Sequence, residues 1–416
     1  MRTPDPGSSE VTHPLRNRRF LAYWLAGIVS SIGTWLHSVT AGVVVYQLTG
    51  SALMVGVLGF ANFAPVFLLA LPGGYLADRF GPRAVIIVAH AAAFVVGAAL
   101  TTLAFLGHAG PLVLIVTAAL LGTCNAIAKP SLSSMVPALV PKSILAKATA
   151  INTLQFTAGQ IVGSLLSSAL LVTVGASWAF ATNTMSFLGP IIAMIVVGPI
   201  GKSAKERRQL LTESDGGAVA LARRTPPIIT LLLTVALANA AVEGLRTLSP
   251  AFVTEALHID VSRSGLMIAA YSAGSLAGLL VFGLVHARIG GFKMLLCAFV
   301  ATAVGAVIVA STSLVAVAMA GAAVIGVGFS FTIPVLNSTL LLLSPDEYRG
   351  RIMSLFAMAH LGFRPIWSLL AGTATSVLGP RGALAVLAAI SSFAVIGVVR
   401  SRAVTGRPPV TAGSDA

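Results

Sequence analysis

A single carboxylate, Glu243, lies near the middle of the seventh long apolar run of this sequence. Asn239, Glu243 and Arg246 are spaced i, i+4 and i+7, so in a helix they share one face. Charges inside an apolar span are costly and are therefore candidates for function. A buried carboxylate beside a cation can exchange a proton or bind a substrate. The alternative is a structural pair in which Glu243 and Arg246, at i and i+3, neutralise each other.

Two further charges interrupt the apolar runs, Lys129 in the fourth and Arg364 in the eleventh. Arg364 shares a helical face with His360 and Ser368 at i−4 and i+4. We expect it to bind an anionic substrate or to pair with Glu243; packing against backbone carbonyls is the alternative. Lys129 is expected to attract an anionic substrate or to repel cations, unless its side chain extends to the membrane surface.

His37 is one more candidate proton carrier, because it too lies inside an apolar run. The two cysteines, Cys124 and Cys297, also lie inside such runs, which predicts neither a disulfide framework nor a metal cluster. The sequence contains no credible nucleophile–base arrangement. We therefore expect no enzymatic activity, no metal ion and no cofactor.

Composition identifies the class of protein. Hydrophobic residues make up 56% of the 416 and charged residues 9%, whereas soluble domains carry about 25% charged residues. The chain is therefore predicted to be an all-α integral membrane protein. Its net charge of +14 comes from basic residues scattered through short loops, which fits membrane topology and not nucleic-acid binding.

Twelve apolar runs are close to the roughly 20 residues that cross a bilayer. Their approximate bounds are 20–46, 53–77, 84–107, 111–136, 148–173, 178–199, 228–253, 263–285, 293–312, 315–343, 351–377 and 382–399. We predict a cytoplasmic arm (1–19), a six-helix bundle (20–200), a cytoplasmic linker (201–225), a second six-helix bundle (226–400) and a cytoplasmic tail (401–416). With the N-terminus inside, the tails and even-numbered loops hold 21 of the 26 lysines and arginines. This asymmetry predicts that both termini are cytoplasmic.

The two halves repeat each other at constant spacing. One set recurs 209 residues later: Gly56, Gly74, Arg79 and Gly81 become Gly265, Gly283, Arg288 and Gly290. A second set recurs 204 residues later: Gly122, Pro130, Ser134 and Pro141 become Gly326, Pro334, Ser338 and Pro345. Duplicated six-span units are typical of secondary transporters, whose site lies between the halves near the midplane.

The charged turn between the second and third runs carries the clearest motif. Gly74, Asp78, Arg79, Gly81 and Arg83 form it, and the two glycines are expected to allow close backbone approach or unusual dihedrals. The second copy keeps Arg288 and Gly290 but has Ala287 at the acidic position. The simpler interpretation is a loop that anchors two helices by its positive charge.

This motif, the two six-span halves and the basic linker resemble the major facilitator superfamily over nearly the whole chain. Four stretches are similar to its enterobactin-exporter-like branch, the transmembrane secretion effectors: residues 20–24 (FLAYW), 46–51 (YQLTGS), 137–141 (PALVP) and 345–355 (PDEYRGRIMSL). The fifth span departs from the pattern of proton-coupled exporters, because Gly163 is followed by Ser164 and not by proline.

The resemblance implies two pseudo-symmetric six-helix halves and alternating access driven by an ion gradient, usually inward-moving protons. It implies that the first, fourth, seventh and tenth spans line the cavity. It also implies that Asp78 caps a helix and pairs with Arg79, Arg83 or a neighbouring helix end. That latch would hold the halves in the outward-facing state.

We therefore expect a proton-coupled antiporter, a monomer in the inner or plasma membrane, that exports an amphipathic small molecule such as a siderophore, drug or secondary metabolite. Three basic residues against one acid within the spans favour an anionic substrate. An uptake permease of the same fold is one alternative. A non-transporting sensor or a membrane partner of a separate ATPase is another.

Overall fold

The computed structural model describes residues 13–198, 225–344 and 349–400. These ranges are helical and contain no strand. The helices are α1 (Arg18–Thr49), α2 (Ala52–Phe80), α3 (Pro82–Phe105), α4 (Pro111–Leu139), α5 (Leu145–Thr173), α6 (Ala176–Ser186), α7 (Leu188–Val197), α8 (Pro226–Ala251), α9 (Ser264–Ile289), α10 (Gly291–Ser311), α11 (Val315–Leu343), α12 (Arg349–Ala357) and α13 (Arg364–Arg400). Each predicted apolar run falls on one or two of these helices.

Two spans are divided in ways that the sequence did not predict. Only Phe187 separates α6 from α7, so the two form one span over Ala176–Val197. At the other end of the chain, a π-helical turn (Met358–Gly362) joins α12 to α13. Gly379, at φ 68° before Pro380, breaks α13 in two. The apolar stretch Leu355–Ile396 therefore provides the eleventh and twelfth spans, which confirms twelve spans.

Short polar and glycine signals set the helix ends. The side-chain oxygen of Asn17 accepts the backbone N–H of Arg19 at 3.0 Å and so caps α1. Gly50, at φ 60°, ends this helix, and the Ser51 hydroxyl caps α2. We call the membrane side on which α1 begins the Arg18 side and the one on which it ends the Gly50 side.

The helices pack in two groups, α1–α7 and α8–α13, each with its own hydrophobic clusters. Helix α2 crosses α13, and α5 crosses α9; these are the main contacts between the groups. Residues 201–224 of the predicted linker lie outside the described ranges. The predicted domain boundaries therefore stay a prediction.

Backbones from the two groups approach each other closely on the Gly50 side. A Cβ on Gly56 would lie 2.7 Å from the Ser368 carbonyl, and one on Gly265 would lie 2.1 Å from the Ser164 carbonyl. The second contact repeats the first, since Gly265 follows Gly56 by 209 residues and Ser368 follows Ser164 by 204. The two sequence offsets therefore correspond to a pseudo-two-fold axis between the groups.

A hydrogen bond near this axis joins the ends of α1 and α8. The hydroxyl of Tyr46 donates to Oε1 of Glu255 at 2.5 Å. Glu255 lies in the π-helical turn that extends α8 (Phe252–Ala256) and follows Tyr46 by 209 residues. Equivalent positions of the two groups thus contact each other, and with the two glycine contacts they close the Gly50 side.

The turn that leads into α9 is held by Asp260. Its carboxylate accepts the backbone N–H of Ser262 at 2.8 Å and also the Ser262 hydroxyl. These bonds favour the ionised carboxyl and lower the pKa of Asp260. The turn fixes the start of α9 at Ser264, one residue before Gly265, which meets α5.

Candidate functional site

Three charged side chains meet at the centre of the molecule. Nε of Arg364 donates to Oε2 of Glu243 at 2.8 Å, and the terminal nitrogen NH1 of Arg246 lies 3.5 Å from the same oxygen. Glu243 is buried, with 4% of its surface exposed. We call these three residues the central charge cluster. Two arginines face one carboxylate, so the cluster carries one positive charge in excess.

Helices α8 and α13 bring this cluster together. Glu243 and Arg246 are one turn apart on α8, and Arg364 is the first residue of α13, directly after the π-helical turn. The indole of Trp367 donates to the carbonyl of Ala236 at 2.8 Å, which ties the two helices together one turn further on. The predicted pairing of Arg364 with Glu243 is thus present, within the second group of helices.

Aromatic rings cover the two arginines, and most of these rings come from the first group of helices. The Arg364 guanidinium lies 3.9 Å from the centre of the Phe63 ring on α2. Arg246 lies 5.1 Å from the ring of Trp35 on α1 and 5.2 Å from that of Tyr271 on α9. Cation–π contacts of this kind are worth about 0.5–2 kcal/mol each. They connect the cluster of one group to the surface of the other.

A large cavity of about 470 Å³ extends from the cluster towards the Arg18 side. Its walls combine aromatic side chains, amides, hydroxyls and two cations: Tyr23, Trp35, Phe63, Phe156, Asn62, Asn125, Asn152, Gln155, Ser30, Ser31, Thr34, Lys129 and Arg364 are among them. The ammonium of Lys129 lies 5.8 Å from the Phe156 ring. The alternative for Lys129, extension to the membrane surface, is not observed, because the side chain lines this cavity.

The lining differs from the predicted one. Helices α1 and α4 line the large cavity as expected, but α8 and α11, the seventh and tenth spans, contribute none of its lining residues. Helices α2, α5, α7 and the region around Arg364 do so instead. The physical reason is that the second group fills its centre with bulky side chains, including Phe252, Tyr271 and Trp367. The cavity therefore belongs mainly to the first group.

Other predicted site residues lie apart from the large cavity. The Asn239 amide donates to the Val235 carbonyl at 2.7 Å, one turn back on its own helix, and Asn239 lines neither the large cavity nor the small one beside Glu243. His360 lies between Phe329 and Phe356, about 6 Å from each ring centre. His37 lines a separate small cavity of about 70 Å³ together with the central charge cluster.

The charged turn between α2 and α3 is shorter than predicted. Helix α2 continues to Phe80, so Asp78 and Arg79 belong to its last turn, and Gly81 alone, at φ 85°, makes the connection. Gly290, at φ 79°, does the same in the second copy, where Arg288 is exposed. The predicted role of Gly81 in an unusual dihedral is thus observed.

The prediction that Gly74 allows a close backbone contact is wrong for this conformation. A Cβ on Gly74 would meet no atom within 4 Å, whereas one on Gly73 would lie 3.0 Å from the Cα of Ile127 on α4. Arg83, from the first turn of α3, donates through Nε to the Met194 carbonyl of α7 at 2.8 Å. This residue thus binds a helix end of its own group, where the dipole favours a cation.

Residues 9–406 match the transmembrane secretion effector family. The chain belongs to this family. Its members are transporters of the major facilitator superfamily and not enzymes, so the protein is a multi-pass membrane transporter.

Individual relatives agree with this assignment. The enterobactin exporter EntS of Citrobacter koseri is 27% identical over 288 residues, which is 68% of this chain and 67% of the relative. A D-xylose–proton symporter superposes with a TM-score of 0.72 at 14% identity over 90% of this chain and 96% of its own. A bacterial homologue of the iron transporter ferroportin, in an inward-facing state, superposes with a TM-score of 0.68 at 18% identity. The match covers 92% of this chain and 97% of the homologue. These two structural likenesses show the fold.

Sequence reasoning missed the aromatic residues of the site. Trp35, Phe63, Phe156 and Tyr271 were not singled out, because aromatic side chains in apolar spans most often face lipid or core. The available signal was spacing: Trp35 is two residues from His37, and Phe63 follows Asn62 inside an apolar run. Which neighbouring helix they meet depends on packing and could not be read from that spacing.

Proposed function

We propose that this transporter exports an amphipathic small molecule that carries an acidic group, driven by protons moving inward. The large cavity is the observation that carries the proposal. Its aromatic walls suit an apolar body, and the ammonium of Lys129 suits an acidic group. A siderophore, a drug or a secondary metabolite with an acidic group would each match this chemistry.

Two observations support export. The relatives matched along two thirds of their length are named enterobactin exporters. The count of basic residues supports a cytoplasmic Arg18 side, and the large cavity extends towards that side while the Gly50 side is closed. With that orientation, the structure represents the inward-facing state, in which an exporter loads its substrate.

Glu243 is proposed as the proton carrier. Binding of a proton would remove the charge that attracts both Arg364 and Arg246, leaving two unneutralised cations in a low-dielectric interior. Such a cluster rearranges, and its arginines contact aromatic rings of the other group. Protonation at one residue can thereby bias the packing of the two groups against each other.

The direct contact between Glu243 and Arg364 also makes uptake a specific second candidate. A proton on Glu243 releases Arg364, so an acidic group bound to Arg364 is stabilised by that proton and would move with it. A substrate bound at Lys129 leaves the Arg364–Glu243 pair intact and can exchange against a proton. Export therefore requires binding through Lys129, and uptake requires binding through Arg364.

Transport into proteoliposomes with imposed pH gradients tests both candidates, whatever the orientation of the inserted protein. A panel of labelled amphipathic acids, bases and neutral compounds is offered on the outside. Antiport concentrates a substrate in vesicles with an acidic lumen, and symport does so in vesicles with an alkaline lumen. Accumulation only with the alkaline lumen would exclude the proposed export, and no gradient dependence would exclude proton coupling.

Variants assign the roles. Glu243→Gln is expected to lose gradient-driven accumulation while it keeps substrate exchange at zero gradient, which serves as the control for folding. Full gradient-driven flux in this variant would refute the assignment of the proton carrier. Lys129→Gln should raise the KM of an exported acid at least tenfold, because its charge is the one in the cavity that is free of Glu243.

Two further proposals complete the cycle. A single chain is proposed as the transport unit, because one chain contains both groups of helices and the contacts between them that close the Gly50 side; crosslinking in the membrane tests this. The turn formed by Gly74, Asp78, Arg79, Gly81 and Arg83, with Arg288 and Gly290 in the second copy, is proposed to close the Arg18 side in the outward-facing state.

A further inference from the structure

A small cavity of about 70 Å³ adjoins the central charge cluster on its Gly50 side. Glu243, Arg246 and Arg364 line it, together with His37 and the hydroxyl-bearing residues Ser38, Thr247, Ser249 and Ser368. The proposed transport cycle assigns no role to this space. Its volume is sufficient for only two or three water-sized groups, since a water occupies about 30 Å³ in the liquid.

Three buried nitrogen atoms at this cavity have no hydrogen-bond partner among the described residues. Both ring nitrogens of His37 are buried and have no hydrogen-bond partner among the described residues, and the same is true of Nε of Arg246. Glu243 is the only carboxylate in the lining, and both arginines use its Oε2 atom. Buried polar groups of this kind normally have partners.

The net charge of the lining also favours an anionic ligand. Two guanidinium groups and one carboxylate leave one positive charge in excess. Burying an uncompensated charge is strongly unfavourable, so buried cations are normally paired. The protein provides no second carboxylate for this purpose at the small cavity.

The position of the cavity connects the two groups of helices. His37 and Arg246 are 209 residues apart and so occupy equivalent positions, one on α1 and one on α8. They lie near the pseudo-two-fold axis, on the Arg18 side of the Tyr46–Glu255 hydrogen bond. A ligand held between His37 and Arg246 would therefore link the two groups when the Gly50 side is closed.

We propose that the small cavity is a binding site for a small inorganic anion of halide size, held between Arg246 and His37. The anion receives N–H donors from both groups of helices and offsets the excess charge of the cluster. This cavity has about one seventh of the volume of the large cavity, so it favours a small ion over the transported substrate. Because opening of the Gly50 side would separate His37 from Arg246, the bound anion stabilises the closed conformation described here.

Chloride binding to the purified full-length protein tests this proposal without a transport assay, so the result is independent of the transported substrate. Thermal unfolding is measured while chloride replaces gluconate at constant ionic strength, and equilibrium dialysis with radioactive chloride gives the stoichiometry. We expect a saturable rise of the unfolding midpoint with chloride concentration and one chloride bound per chain. No saturable binding in the millimolar range would overturn the proposal.

Variants locate the site. Arg246→Gln and His37→Leu are each expected to weaken chloride binding at least tenfold. Lys129→Gln removes a positive charge from the large cavity and should leave chloride binding within twofold of the wild type. If Arg246→Gln does not fold, His37→Leu alone tests the location of the site. This variant should fold, because it removes no formal charge from the core. Unchanged binding in His37→Leu, or an equal loss in Lys129→Gln, would show that the anion binds elsewhere.

Discussion

Replacing Gly265 with alanine should shift the protein away from the conformation described here. The added Cβ would lie 2.1 Å from the Ser164 carbonyl and 2.6 Å from the Ser168 hydroxyl, both on α5. Favourable contacts between heavy atoms lie near 3.5–4.0 Å, so α5 and α9 must separate. Overpacking of this kind costs about 1–3 kcal/mol. That cost applies only while the Gly50 side is closed. The ratio of open to closed molecules should therefore rise about 5- to 150-fold.

Distance measurements between spin labels detect this shift. Nitroxides at Thr173→Cys and Ser311→Cys report the separation of the two groups on the Gly50 side, in a background in which Cys124 and Cys297 are replaced by serine. The parent should give one short distance, and Gly265→Ala should add a longer one. Substrate binding to the purified variant verifies that it remains folded.

Gly42→Ala is the matched control. Its Cβ would lie 3.7 Å from a Val55 methyl carbon, an ordinary contact, and it brings the same gain in helix propensity. The control should keep the distance distribution of the parent. An unchanged distribution in folded Gly265→Ala, or the same change in Gly42→Ala, would refute the idea that the α5–α9 contact closes this side.

Three further substitutions have defined outcomes. Asp78→Asn should insert normally but transport more slowly, and full transport at normal expression would exclude the proposed latch. Arg83→Gln loses the bond to the Met194 carbonyl, worth about 1 kcal/mol, so its thermal unfolding midpoint should fall; an unaltered midpoint contradicts this. Tyr46→Phe removes the hydrogen bond to Glu255, worth about 1.5 kcal/mol, and should raise the open population about tenfold in the spin-label experiment. A parent-like distribution would mean that this bond does not contribute to closure.

The fold was largely predictable because a bilayer imposes simple rules on sequence. Long apolar runs have to be helices, since every backbone polar group must be satisfied inside the span. The ends of the helices just outside the membrane were less predictable. The run before Gly81 was expected to end at the charged residues, yet α2 continues through Asp78 and Arg79 to Phe80. Charged side chains beyond the apolar region cost little in a helix, so hydropathy does not show where the helix ends.

The candidate site was predicted in its charges and not in its surroundings. The cost of a buried charge identified Glu243 and Arg364 even though 121 residues separate them, and their contact is present. Helical spacing alone put Asn239 on the same face as Glu243, but its amide donates to a backbone carbonyl one turn back on the same helix. Gly74 was expected in a close contact because of its residue type, whereas the contact uses Gly73. Spacing specifies a face of a helix, and the neighbour that meets this face depends on tertiary packing.

The contact between Tyr46 and Glu255 has a consequence for the origin of the chain. In a dimer of two identical six-helix units, a side chain on the symmetry axis meets its own copy, so two phenols or two carboxylates would face each other there. A phenol that donates to a carboxylate needs different residues at the two positions, which two non-identical units can supply. This hydrogen bond is therefore an interaction that the divergence of the two halves made available, and no homodimeric form of the fold could have contained it.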